Sequence, residues 1–369
     1  MVGIKNQFKF IFTSKCNYDC KYCFVDTNTK DMEVMSKETF NTVHNAILHY
    51  INDKMNSNIQ LVYFGGEPLL EYEMVLESLD FFASFMTRHK DVPLSIRANV
   101  FTNGAVNHEK FLEGLDRFNK KYPSLANTSL FRVHIQYSFD GPVHLIGDTF
   151  KKTDIEPMLL GAKALPMRGS NMTSGVMTVF SNDTIDKMFE IYKYMVDNNL
   201  HKNWVPRMDI GLTDYSHMKD IAINQFAQMY DYMVDNNINI TNRSRYSYKK
   251  SYNCMSGLHV VGINPEGYMT ACYHNATLSS KTLKELDIEH VKIETASDID
   301  NFHDLTITNF FYDKKDKACY DTSCPYVPGC DNGSDIEMYN SIFDLTSKAH
   351  TRFKAKEKSK LPISHRVSR

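Results

Sequence analysis

The sequence predicts an α/β protein in which six parallel strands and their crossover helices roll into a partial or complete barrel, followed by a small metal-stapled module. Three observations carry this expectation. Short runs rich in Val, Ile, Phe and Thr alternate with longer amphipathic segments as far as residue 210. Beyond Cys254 the pattern becomes shorter and loop-rich. The eight cysteines fall into two groups, three near the N-terminus and five beyond residue 250.

The expected strands are Phe8–Thr13, Gln60–Phe64, Leu94–Thr102, Arg132–Phe139, Gly175–Phe180 and Trp204–Ile210. Between them lie the expected helices Ser36–Lys54, Tyr72–Lys90, His108–Lys120, Glu156–Arg168 and Thr184–Asn198. Ser36 is an expected N-cap, and Phe40, Val43, Ile47 and Ile51 follow it at helical spacing. Asn107 is expected to cap the third helix in the same way. Strand–helix alternation at this spacing implies right-handed βαβ units, with the chemistry on loops at the strand C-termini. Residues 216–250 read as a connector with a helix over Ala222–Asn237, and Asn264–Gly267 reads as a hairpin turn. A final helix is expected over Ser334–Lys348. The division is therefore 1–215 core, 216–250 connector, 251–335 cysteine module and 336–369 terminal helix with a basic, solvated tail.

Composition narrows the function classes. A net charge of −2 argues against nucleic acid as the main partner. No apolar stretch approaches the roughly 20 residues that span a bilayer, and the opening segment lacks a signal-peptide cleavage site. The expected location is the cytoplasm, where thiols stay reduced, so eight cysteines favour metal ligation or redox chemistry over disulfides.

Cys16-x3-Cys20-x2-Cys23 directly follows the first expected strand. Three thiolates on one loop can converge on one inorganic centre, and a [4Fe–4S] cluster held by three thiolates keeps one iron open. That iron can chelate the amino and carboxylate groups of S-adenosylmethionine (SAM), whose sulfonium–carbon bond then breaks on one-electron reduction. A three-cysteine zinc site with a distant fourth ligand uses the same residue types.

The segment CNYDCKYC resembles the CxxxCxΦC signature of the radical SAM superfamily, with Tyr22 as the aromatic before the third cysteine. YFGGEPLL, one strand later, resembles the family's GGEP motif at Gly65, Gly66, Glu67 and Pro68. The resemblance implies that this strand edge pairs with the SAM amino group, a close approach that would account for the glycines. ANVFTNGAV resembles the third-strand end, with Thr102, Asn103 and Gly104, and IQYSFDGP the fourth, with Ser138 on the SAM ribose and Asp140 beside it. The resemblance also implies a partial (β/α)6 TIM-like barrel. The family often places an Arg shortly after DGP to hold the SAM carboxylate; this chain has Lys151 and Lys152 there, and the contact stays unassigned.

Cys254-x12-Gly267-x4-Cys272, with Cys319, Cys324 and Cys330 following, resembles the auxiliary-cluster extensions called SPASM and twitch. Five thiols suffice for at least one auxiliary [4Fe–4S] cluster, with one to spare. Enzymes carrying these extensions mostly modify peptides and proteins. The resemblance therefore implies a maturase of a ribosomally made precursor peptide, leading to a cross-link, an epimer or an oxidised residue, with flavodoxin or ferredoxin as electron donor. Motif order is close to that of anaerobic sulfatase maturases, but Tyr273 stands where those enzymes carry an Asp base. A twitch-type dehydrogenase of a small metabolite and a zinc-stapled binding protein are the alternatives. With the first strand starting near Phe8, no leader-binding domain is expected ahead of it.

Overall fold

β-Branched and aromatic runs bounded by turn residues form the strands of a single sheet. The structure, a computed structural model, describes residues 6–20, 22–23, 25, 34–54, 58–90, 94–147, 152–208, 215–238, 260–271, 275–306, 344–345, 347–353 and 356. In chain order the strands are β1 (Gln7–Ile11), β2 (Asn58–Phe64), β3 (Ser95–Thr102), β4 (Phe131–Ser138), β5 (Met172–Phe180), β6 (Trp204–Met208), β7 (Val260–Ile263), β8 (Tyr268–Thr270) and β9 (His290–Lys292). The helices are α1 (Lys37–Asp53), α2 (Tyr72–Arg88), α3 (His108–Lys121), α4 (Pro123–Ala126), α5 (Val143–Ile146), α6 (Glu156–Arg168), α7 (Met188–Asp197), α8 (Tyr215–Asp235), α9 (Ser280–Glu285) and α10 (Ala296–Thr306).

The sheet order is β6-β5-β4-β3-β2-β1-β7-β8-β9. Strands β1 to β6 pair in sequence and all in parallel. Each crossover therefore moves the chain one strand along, as in a β/α barrel. The free edge of β1 pairs in parallel with β7 rather than with β6, so the barrel stays partial. The turn expected at Asn264–Gly267 joins β7 to β8. The Gly267 amide donates to the Asn264 carbonyl, and Gly267 takes φ +85°, the left-handed region open to glycine.

Alternation along the parallel strands decides what each face meets. Phe8, Phe10, Leu61, Tyr63, Ile96, Val100, Ile135 and Tyr137 are almost fully buried against Val43, Ile47, Leu79, Phe82, Phe111 and Leu115 of α1 to α3. Each such side chain contributes roughly 1.5–3 kcal/mol of burial energy. The opposite face carries Gln60, Asn99, His134, Gln136 and Ser138 among the apolar Val62, Phe64 and Phe101, so the inner side of the sheet mixes polar and apolar groups.

Several expected boundaries shift. Strand β1 ends at Ile11 because Phe12 and the residues after it turn into the cysteine loop, and β5 begins three residues early, at Met172. A 3₁₀ turn over Ile185–Lys187 precedes α7, and the connector helix starts at Tyr215. Ser36 caps α1 through a 3.0 Å bond from the Thr39 amide. Asn107 is the N-cap residue of α3, its carbonyl accepting from the Phe111 amide, but at φ 51° its side chain makes no capping bond and its Nδ2 donates to the Leu69 carbonyl. Helix α10 and strand β9 carry too few periodic residues to be read from the sequence. The final helix reaches Phe353, past its expected end at Lys348. Its Arg352 pairs with Asp231, and the Lys356 ammonium donates to the Val234 and Asp235 carbonyls on α8, so these two basic residues are tied down.

Among the described residues, no helix is long and apolar enough to cross a membrane.

Candidate functional site

The cysteine loop leaves β1 at the C-terminal edge of the sheet and lies across the end of β2. The Gly66 amide donates to the Thr13 carbonyl at 3.1 Å, and the Glu67 amide to the Lys15 carbonyl at 2.9 Å. This docking explains the glycine pair. A Cβ on Gly65 would stand 2.6 Å from the Thr13 carbonyl oxygen, and one on Gly66 would stand 2.1 Å from that of Lys15. Gly65 also adopts φ +132°. The chain's own loop therefore imposes this steric demand before any ligand is bound.

Glu67 ties three segments together. Its Oε1 accepts from the Leu69 amide at 2.9 Å and from Thr102 Oγ1 at 2.6 Å; its Oε2 accepts from the Asn103 amide at 2.8 Å. The carboxyl is buried at 1% exposure, so desolvation pushes its pKa up while the three donors pull it back. Pro68 starts the 3₁₀ turn Pro68–Glu71 that this carboxylate caps. Asn103 extends the linkage: its Nδ2 donates to Asn17 Oδ1 at 2.9 Å and lies 4.0 Å from Cys16 Sγ. The ends of β2 and β3 therefore set the position of the first cysteine.

Cys16, Cys20 and Cys23 are free thiols, each half-buried. The Tyr18 amide points at Cys16 Sγ from 3.4 Å, and the Cys23 amide donates to the Cys20 carbonyl. Burial pushes the Cys16 thiol up and carries Cys20 to about 11, against the pull of Lys152. Thiols in such surroundings become thiolates only with a cationic centre to hold them. Among the described residues, no three His, Cys, Asp or Glu side chains converge on one metal ion. Three thiols on one loop are the donor set that a [4Fe–4S] cluster with one open iron takes, and Cys16, Cys20 and Cys23 fit that chemistry.

The end of β4 closes the other side. Tyr22 donates to Asp140 Oδ1 at 2.6 Å, joining the cysteine loop to the fourth strand across 118 residues. Asp140 is 1% exposed, and its Oδ2 has no hydrogen-bond partner among the described residues. Desolvation raises its pKa to about 6, opposed by Lys152 and by the Tyr22 hydroxyl. Ser138 ends β4 half-buried, with Met177 of β5 as its register partner.

Lys152 is the site residue whose place the sequence left open. Its ammonium lies 5.3 Å from the centre of the Tyr22 ring, and its carbonyl accepts from the Asp140 amide at 2.8 Å. Burial lowers its pKa, but Asp140 and the three thiols outweigh that and the net shift is upward. One cation thus faces Asp140 and all three cysteines. Spacing gave no sign of it, because only the return of the chain after α5 brings residue 152 over the sheet.

The structure therefore gathers Cys16, Cys20, Cys23, Tyr22, Gly65, Gly66, Glu67, Pro68, Asn103, Ser138 and Asp140 at the C-terminal edge of β1 to β4. Cys254, Cys272, Cys319, Cys324 and Cys330 lie outside the described residues.

Comparison with known proteins places these features in a group. Residues 3–116 match the 4Fe-4S single cluster domain family, a span that holds the three cysteines, the glycine pair and Asn103. The chain is 29% identical over 189 residues to the radical SAM cyclopropyl synthase TigE of Paramaledivibacter caminithermalis, covering 48% of this chain and 36% of that protein. It is 25% identical over 186 residues to an uncharacterised protein of Methanocaldococcus jannaschii, covering 50% and 56% respectively. The chain thus spans between about a third and somewhat over half the length of these curated relatives. The fold is similar to that of anSMEcpe solved with bound AdoMet, at TM-score 0.60 and 15% identity, covering 95% of this chain and 99% of that one. It is also similar to anSMEcpe with bound AdoMet and the Kp18Cys peptide, at TM-score 0.58 and 16% identity, covering 96% and 99%.

Proposed function

We propose that this chain is a radical SAM enzyme that cleaves SAM reductively and uses the resulting radical to modify a ribosomally made peptide. The observation that carries the proposal is the docking of the three-cysteine loop on Gly66 and Glu67, with Tyr22 bonded to Asp140 across the site.

When bound, a [4Fe–4S] cluster supplies the electron that breaks the SAM sulfonium–carbon bond into methionine and a 5′-deoxyadenosyl radical. Cys16, Cys20 and Cys23 would hold it. The backbone at Gly65 to Pro68 would receive the SAM amino group, and Ser138 the ribose. Glu67 contributes through position: its three accepted bonds keep the ends of β2 and β3 and the cysteine loop in one geometry. Asp140 and Tyr22 seal the far side, and Lys152 offsets the negative charge gathered there. The inner face of the sheet, with the polar Asn99 and Gln136, lies beneath the reacting centre as the surface for substrate.

A peptide substrate is favoured by the likeness to anSMEcpe, solved with a bound peptide, and about half of the chain is similar to a cyclopropyl synthase. Abstraction of a side-chain or Cα hydrogen would begin the modification. Cys254, Cys272, Cys319, Cys324 and Cys330 would hold an auxiliary [4Fe–4S] cluster that accepts an electron from the product radical. Flavodoxin or ferredoxin would serve as the reducing partner.

The test is anaerobic reconstitution with iron and sulfide, followed by SAM and dithionite with a candidate precursor peptide. Reductant-dependent 5′-deoxyadenosine and a mass change on the peptide are expected. Joint replacement of Cys16, Cys20 and Cys23 by Ala should abolish both. Unchanged 5′-deoxyadenosine release in that variant overturns the assignment of the cluster. Turnover stimulated by a small alcohol or sugar and never by peptide overturns the substrate class.

A further inference from the structure

A second feature lies at the opposite end of the sheet, at the N-terminal rim of β2, β3 and β4. Arg97 on β3 and Arg132 on β4 are direct register partners, so two guanidinium-bearing side chains leave the same face of neighbouring strands. Parallel neighbours lie about 4.8 Å apart, and like charges placed directly opposite destabilise a sheet. Neither arginine has an ion pair or hydrogen bond with a described residue. Both line a pocket of about 380 Å3.

Apart from Ile59 and Ile96, the rest of the pocket wall is polar, and among the described residues it carries no acid. Asn58, Gln60, Ser95 and Ser129 add carboxamides and hydroxyls, and no Asp or Glu is among the lining residues. Gln60 is the register partner of Arg97 on the other side, so three polar side chains stand in a row across β2, β3 and β4. A sheet that carries an unopposed arginine pair among neutral hydrogen-bonding groups is complementary to an oxyanion. The guanidinium fork matches the two oxygens of a carboxylate or phosphate, and two forks side by side grip one such group from both strands. In β/α barrels this end of the strands ordinarily serves stability rather than chemistry. An anion here would bind away from the reacting centre.

We infer that Arg97 and Arg132, with Gln60, Ser95 and Ser129, form an oxyanion-binding pocket at the N-terminal rim of the barrel. Its ligand carries a carboxylate or phosphate. The inference does not depend on the peptide-maturase reading, since it rests on the register of β3 and β4 and on the pocket wall.

The test is calorimetric titration of the full chain at fixed ionic strength, with inorganic phosphate in one arm and N-acetylglutamate in the other. Saturable binding of either probe is expected, and the arm that binds identifies the source of the oxyanion. Arg97→Gln and Arg132→Gln should each weaken that binding at least tenfold, equivalent to 1.4 kcal/mol. Neither substitution should lower the melting temperature of the ligand-free protein, because each removes a like-charge pair. The inference is overturned by no saturable heat with either probe, or by an affinity in both variants equal to that of the parent. A fall in the ligand-free melting temperature of both variants also overturns it, since the pair would then be satisfied within the fold.

Discussion

Glu67 offers the sharpest test of how the site is held, and Glu67→Gln is the smallest change that probes it. The carboxylate accepts three bonds, from the Leu69 amide, the Thr102 hydroxyl and the Asn103 amide, at 2.6 to 2.9 Å. A carboxamide of the same shape has one accepting oxygen and one donating NH2. Placed with its oxygen toward Leu69 and Thr102, it turns an N–H against the Asn103 N–H; flipped, it faces the Leu69 amide with the same conflict. One buried donor loses its acceptor in either pose. A hydrogen bond to a charged group is worth about 1.5–3 kcal/mol, and an orphaned buried donor costs about 1–3 kcal/mol. Part of this is offset because the neutral amide escapes the desolvation that raises the Glu67 pKa. A net loss of about 2–4 kcal/mol is expected. Equilibrium denaturation in urea measures it, and iron content after reconstitution reads the consequence for the cysteine loop. A Glu67→Gln protein within 0.5 kcal/mol of the parent, the ordinary range for surface substitutions, and loading the same iron refutes the reasoning, because Glu67 would then not organise the site.

Two further outcomes follow from the same geometry. Gly66→Ala places a methyl against the Lys15 and Ser14 carbonyls, at 2.1 and 2.4 Å, where only backbone can yield; far-ultraviolet circular dichroism should stay near that of the parent while iron incorporation falls several-fold. His44 is fully buried, contacts Ser78 Oγ and the Phe40 carbonyl, and desolvation lowers its pKa to about 3. The unfolded chain, with its histidine near 6.5, therefore binds the proton first as pH falls. Its contribution is complete above that value and is lost on acidification toward 3. Between pH 7 and 5 this one residue should remove about 2 kcal/mol of stability; because the raised pKa of Asp140 acts in the opposite sense over the same window, the effect is read as the fall in parent stability relative to His44→Leu.

Much of the site was legible in the sequence because its chemistry is written in short, contiguous spacings. Cys16, Cys20 and Cys23 share one loop, and Gly65 to Pro68 one turn, so local pattern placed them at strand ends before any long-range contact was known. Helix α1 was equally legible: Ser36 caps it, and Phe40, Val43, Ile47 and Ile51 all face the core. Asn107 shows where local pattern fails. Its residue type suits a cap, but the Leu69 carbonyl from the preceding unit competes for its side chain and wins.

Periodicity, turn residues and motif spacing act over a few residues, and they made β1 to β6, most of their crossover helices and the cysteine loop readable in order. Long-range packing is what places β7 on the free edge of β1, sets the glycine pair against the chain's own loop and turns Lys152 toward Tyr22 and Asp140. It also decided that Arg97 and Arg132 stand side by side. These outcomes depend on register and close approach between segments tens of residues apart, and such distances are fixed by how the helices pack on the sheet.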